Sequence, residues 1–192
     1  MNKLLVVCAA FIISVYEGCG YTIVRDYDQE ELQAEMAAID SLSVGSDLII
    51  SEINYTYIPP PPRRDALDMM VMPARVQFHI IISNIGNADF SNSFLIMYEY
   101  PNHYYAGRTS FAYKVCNKNH ESISADSSQY YEINEDYPYR GGTFNFTILS
   151  NPIIQKDFIR KLQSQFNGKI TVEQSRELRY DNNIVAVNVV EK

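Results

Sequence analysis

From Asp47 onward, apolar and polar residues alternate with a period of two, the pattern of strands that bury one face. "DLIISEINYTYI" sets Ile49, Ile53, Tyr55 and Tyr57 against Glu52, Asn54 and Thr56. "ARVQFHIIIS" sets Val76, Phe78, Ile80 and Ile82 against Arg75, Gln77, His79 and Ser83. "SFLIMYEY" places Phe94, Ile96, Tyr98 and Tyr100 together, and "TFNFTIL" turns Phe144, Phe146 and Ile148 inward. Val185, Val187 and Val189 share one face of "NIVAVNVV". "AGRTSFAYKVC" and "GKITVEQ" read as further strands, and "NKNHESISADSSQ" as a polar loop. "YYEINEDYPYRGG" is aromatic and ends in a Gly-Gly turn. Pro59 to Pro62 lack the N–H that a ladder needs, so they end the first strand and stiffen the loop after it. The pattern predicts an all-β chain folded as an antiparallel β-sandwich of about seven strands. Its core is expected around Phe78, Ile80, Ile82, Phe144 and Phe146.

Two segments have a helical period instead. In "DYDQEELQAEMAAIDSL", Leu32, Met36 and Ile39 recur at helical spacing, and acids crowd the first turn where the helix dipole favours them. A short helix is expected there, ended by Ser43-Val44-Gly45-Ser46, either as a spacer or as a cap on the domain; the spacer is the preferred reading. In "SNPIIQKDFIRKLQSQF", Ser150 or Asn151 is placed to cap, Pro152 suits a first helical position, and Phe158, Leu162 and Phe166 are spaced by four.

The N-terminus reads as an export leader. Lys3 supplies the positive charge, and "LLVVCAAFIISVY" is apolar but shorter than the ~20 residues of a spanning helix. Gly18 directly before Cys19 fits a lipoprotein cleavage site, with Cys19 as the acyl acceptor; ordinary secretory cleavage near Gly18 or Gly20 is the alternative. The expected organisation is a signal peptide at 1–18, a tether at 19–46 and the sandwich at 47–192. The implied localisation is the bacterial cell envelope, membrane-anchored, at the outer membrane or cell surface. Cys116 is then the one thiol of the folded part, and it is read as a small packing residue.

The 192-residue chain carries a net charge of -7. Such a surface repels phosphate backbones, so no nucleic-acid partner is expected. Its 15 Tyr and 9 Phe support a core that needs no disulfide.

Three stretches, "SDLIISEI", "VQFHIIISNIGNAD" and "ITVEQSRELRYDNNIVAVNV", together resemble the CARDB domain, the cell-adhesion-related domain found in bacteria. They match its opening Asp-Leu strand, its Asn-x-Gly turn (Asn84-Ile85-Gly86) and its closing Glu-x-x-x-x-Asn-Asn hairpin (Glu177 to Asn182-Asn183). The resemblance spans about Ser46 to Val190. It implies an immunoglobulin-like sandwich in a surface or secreted protein, with no fixed ligand.

Chemistry is sparse. His79, His103 and His120 lack metal-type spacing, and no serine sits in a nucleophile-elbow pattern. Neither an enzyme nor a cofactor is expected. Asp126, Glu135, Asp136 and Asp181 are the carboxylates considered for calcium, which takes about 6 to 8 oxygen ligands, but solvated side chains are the preferred reading. Tyr104, Tyr105, Tyr137 and Tyr139 form the candidate recognition surface for a protein or glycan partner, because tyrosine combines contact area with a polar tip. The expected function is display of the domain for protein binding, adhesion or envelope assembly, with carbohydrate or host-ligand binding through the Tyr-rich loops as the alternative.

Overall fold

A computed structural model of the chain describes residues 27–60, 74–102, 108–119, 121–137, 142–166 and 170–190. The leader, Cys19, Tyr104, Tyr105 and Tyr139 lie outside the described residues. The order of elements is helix α1 (Tyr27–Asp40), strands β1 (Leu48–Ile58), β2 (Ala74–Asn84), β3 (Phe94–Asn102), β4 (Arg108–Cys116), β5 (Ser127–Tyr137) and β6 (Gly142–Leu149), helix α2 (Lys156–Gln165) and strand β7 (Ile184–Val189). The alternating stretches close into two antiparallel sheets, ordered β1-β2-β5 and β4-β3-β6-β7. The chain is an all-β sandwich of the immunoglobulin-like kind.

The core between the sheets is aromatic at its centre. Phe78 of β2 meets Phe144 and Phe146 of β6 at ring-centroid distances of 4.8 and 4.9 Å, within the range of favourable tilted pairs. Phe78, Ile80, Ile82, Phe144 and Phe146 are all fully buried, as their alternation predicts.

The first strand departs from its predicted face. Leu48 and Ile50 are buried beside Ile53, Tyr55 and Tyr57, while Ile49 points the other way. A register shift between Ile50 and Glu52 inserts one extra residue, and a single-residue bulge reverses the facing of everything before it.

A second apolar cluster lies on the outer side of the four-stranded sheet. Leu95, Met97 and Leu149 pack there under Ile159 and Leu162 of α2. Ile170 and Val172 join them, so residues 170–174, the described part of a predicted strand, contribute to this cluster as irregular chain. β7 accordingly pairs with β6, and the closing Asp181-Asn182-Asn183 turn does not join two paired strands. The buried positions of α2 are Ile159 and Leu162, whereas Phe166 is exposed. Asn151 accepts the N–H groups of Ile153 and Ile154, which caps the turn that leads into α2, a step upstream of the helix itself.

The edges β4 and β5 are blunted. Gln165 of α2 both accepts from the N–H and donates to the C=O of Phe111, as a paired strand would. The Lys114 ammonium donates to the Glu132 carbonyl of β5. Both devices oppose edge-to-edge aggregation.

Helix α1 docks on the domain, so the spacer reading gives way to the cap. Glu35 is 4% exposed and Met36 is 51% exposed. The inward stripe is Leu32, Glu35, Ala38 and Ile39, and a carboxylate takes the place expected for Met36. No helix of the described residues is long and apolar enough to cross a membrane.

Candidate functional site

The residues of the three CARDB-like stretches converge at one end of the sandwich. The Asn84 amide, completely buried, accepts the N–H of Asp47 and of Gly86 and donates to the carbonyls of Ala88 and Ile123. Glu177 is also completely buried. Its Oε2 accepts the Leu48 N–H at 2.7 Å, and its Oε1 lies against the Ser150 hydroxyl. Ser46 forms a parallel bridge with Glu177, and Asn182 Nδ2 donates to Asp47 Oδ1. The start of β1 is thus held by two stretches far from it in sequence. Asn183 is buried beside Glu177. Burial pushes the Glu177 carboxyl up to about 7, and the donors Ser150 and Leu48 oppose that rise.

Next to this knot sits a charged one. Arg176 Nε and Nη2 grip Glu35 at 3.0 and 2.9 Å, and Asn151 Nδ2 donates to the same carboxylate at 2.9 Å. The Arg176 bond holds the Glu35 carboxyl down at about 2 despite burial, with Asn151 and Gln174 assisting. Arg176 also borders an open cleft of about 410 Å³ lined by Ser46, Phe90, Asn92 and Ser175.

A different surface lies on the outer face of the three-stranded sheet. Among the described elements none packs over it. Register places Asn54, His79 and Glu132 in one row and Thr56, Gln77 and Asn134 in the next. His79 Nδ1 lies 2.6 Å from the Tyr130 hydroxyl, and its Nε2 lies 3.3 Å from Thr56 Oγ1. The two rings stack at 6.0 Å, with Tyr130 54% exposed. Asn134 donates to Glu132, and Ser83 links Ser51 and Ser128. These lateral bonds hold the side chains in place before any ligand arrives.

The predicted site residues fare unevenly. Tyr137 ends β5, opposite Ala74. The calcium candidates with described side chains do not assemble: Asp126 sits in the turn before β5, Glu135 accepts the Tyr98 hydroxyl far along that strand, and Asp181 pairs with Arg179. Among the described residues no three His, Cys, Asp or Glu side chains form a metal-binding group. Cys116 is buried in the core, and burial pushes its thiol up to about 12. In a chain with Cys8 and Cys19 changed to Ser, an aromatic disulfide reagent should therefore label Cys116 at least about a hundredfold more slowly before denaturation than after. Equal rates would place the thiol at the surface. Glu35, Arg176 and Tyr130 belong to no chemical motif in the sequence; only the i, i+3, i+7 run Leu32-Glu35-Ile39 points to the first.

Sandwich architecture, a polar knot at one end and a bare polar sheet face define the class: an immunoglobulin-like β-domain. Among solved structures, the fold is similar to the CARDB domain of the PF1109 protein from Pyrococcus furiosus, solved in complex with di-metal ions. The TM-score is 0.40 at 10% identity, over 78% of this chain and 96% of that one. It is also similar to a chain solved as the ApaA protein from Bordetella pertussis, with TM-score 0.35 at 12% identity, over 55% of this chain and 79% of that one. No family model matches the chain, and the search of curated proteins found no match.

Proposed function

We propose that this is a non-enzymatic, exported lipoprotein of CARDB type that displays its sandwich as a protein-binding module for adhesion or envelope assembly. The supporting observation is the contrast between the two outer sheet faces. One is covered by α2, Ile170 and Val172; the other carries the ordered polar rows around Tyr130, His79 and Glu132. A flat face with one exposed aromatic and fixed polar neighbours has the make-up of a recognition surface. The exposed Tyr130 ring also supports the second reading, a glycan stacked on this sheet instead of on the Tyr-rich loops.

The test is fractionation with proximity labelling in a bacterial host. Wild-type chain should partition with membranes, and Cys19→Ala should release it. The double change Tyr130→Ser and Glu132→Gln should leave the melting temperature nearly unchanged and remove the labelled neighbours. A wild-type chain that stays soluble would dispose of the anchor. Neighbours unaffected by the double change would dispose of the sheet face.

A further inference from the structure

Helix α1 holds its place by an unusual means. Most of its length is exposed, and its buried anchor is a carboxylate instead of an apolar side chain. The socket that receives Glu35 is assembled by the body of the domain. Arg176 comes from the segment before β7, Asn151 from the β6–α2 junction, and the Gln174 side chain also reaches the carboxylate. Asn151 is fully buried and further fixed by the Ser175 carbonyl and the Tyr180 hydroxyl. The amide of the socket is therefore held by contacts that do not involve α1. A planar guanidinium with a second amide donor matches the two oxygens of a carboxylate, the group that fills it here.

The connection between plug and domain is short and has a natural hinge. Residues from Ser43 onward are stapled to the Asn84–Ala88 turn: Asn87 Nδ2 donates to the Ser43 carbonyl, and the Gly45 carbonyl accepts Asn87 and Ala88. On the other side, Ser41 and Leu42 still bond back to the helix. Rotation is left to the step between Leu42 and Ser43. A segment that docks through one buried ionic plug, beside such a hinge, is the arrangement in which exchange between copies costs little, because each contact broken in one copy is remade in another.

We propose that Arg176, Asn151 and Gln174 form a carboxylate-receiving site, and that α1 of a second copy of this chain takes the place of the resident α1 by inserting its own Glu35. Each copy then supplies a residue to the other's site, and the protein forms an exchanged dimer. The inference is independent of Cys19 and of the sheet face, although an anchor close to α1 would crowd neighbouring copies together and favour exchange.

Complementation tests it. Glu35→Gln gives a chain with a socket and no plug; Arg176→Gln gives a plug and no socket. Each alone should remain a monomer at micromolar concentration in light scattering, with cooperative melting. Mixed in equal amounts they should form a one-to-one heterodimer, and 0.5 M salt should shift that equilibrium at least tenfold toward monomers. Two folded chains that stay monomeric when mixed would overturn the exchange. So would loss of folding in either variant, since Glu35 would then belong to the core of the fold. Glu35→Asp mixed with Arg176→Gln serves as a second pair: its shortened resident carboxylate competes weakly for its own socket, so the heterodimer should form more readily than with a chain that keeps Glu35 and less readily than with Glu35→Gln.

Discussion

Replacing Gly86 by Ala should destabilise the domain by about 3 kcal/mol or more, beyond the usual cost of an overpacked site. A Cβ at this position would lie 2.3 Å from the Gly45 carbonyl oxygen and 2.6 Å from both Asp47 N and Ser46 C. All three are backbone atoms, so no rotamer change relieves the overlap. The chain cannot retreat either. Ile85 N–H bonds the Asp47 carbonyl, Gly45 N–H bonds Asn87 Oδ1, and Asn84 Oδ1 bridges the N–H groups of Asp47 and Gly86. Moving the Asn84–Ala88 turn outward would break these bonds together, and it would pull on the start of β1 that Glu177 also holds. Space, therefore, excludes a side chain at Gly86. The neighbouring Ile85→Ala, at a 51% exposed position, should change stability by no more than about 0.5 kcal/mol. Urea unfolding of both variants separates the outcomes: equal, small effects would mean that the turn stands off from residues 45–47.

That glycine illustrates what a sequence carries. Asn84-Ile85-Gly86 is legible as a turn because Asn and Gly are turn residues. The reason Gly86 is required, contact with a chain segment some forty residues earlier, is tertiary and leaves no local trace. Period-two alternation locates the faces of β2, β3, β6 and β7, since burial of one face is what selects that pattern. It fails at β1 because a bulge breaks the count without changing composition. The outer cluster is hinted at in "FLIMY", where Leu95 and Met97 are as apolar as Phe94 and Ile96; a strand apolar on both faces is buried on both. Asp181-Asn182-Asn183 stands out as a fold signature, but its geometry is not that of a hairpin. Asn182 reaches Asp47, and Asn183 packs beside Glu177, so the pair closes the knot at the start of β1. For the candidate surface, the aromatic count draws attention to tyrosines in loops. Tyr98 and Tyr100 stack on core phenylalanines, as their strand face predicts, while Tyr130, one residue from the buried Tyr131, is exposed.

Stability should fall as pH rises from about 4.5 to about 7, opposite in direction to the carboxylates that are held charged. Glu177 titrates near 4.5 in the unfolded chain, but burial lifts it to about 7 in the fold. Between these values the unfolded chain has lost a proton that the native chain keeps, so each step up in pH favours unfolding. At about 1.4 kcal/mol per unit, the full difference is about 3 kcal/mol, present below pH 4.5 and gone once pH passes 7. Glu35 has the reverse sign: its native value of about 2 gives stability that is present above 4.5 and lost as pH falls. The two together place the optimum on the acid side of neutrality, in a window near pH 4.5 to 5. Glu177→Gln distinguishes this from general charge effects. Glutamine keeps the oxygen that accepts Leu48 N–H and is neutral at every pH, so its stability should be nearly level from pH 4.5 to 8 and exceed wild type at the upper end. Denaturant midpoints measured across that range decide the matter. A wild-type curve as flat as that of the variant would mean that Glu177 is ionised in the fold, with Ser150 and Leu48 holding a carboxylate in place of a carboxylic acid.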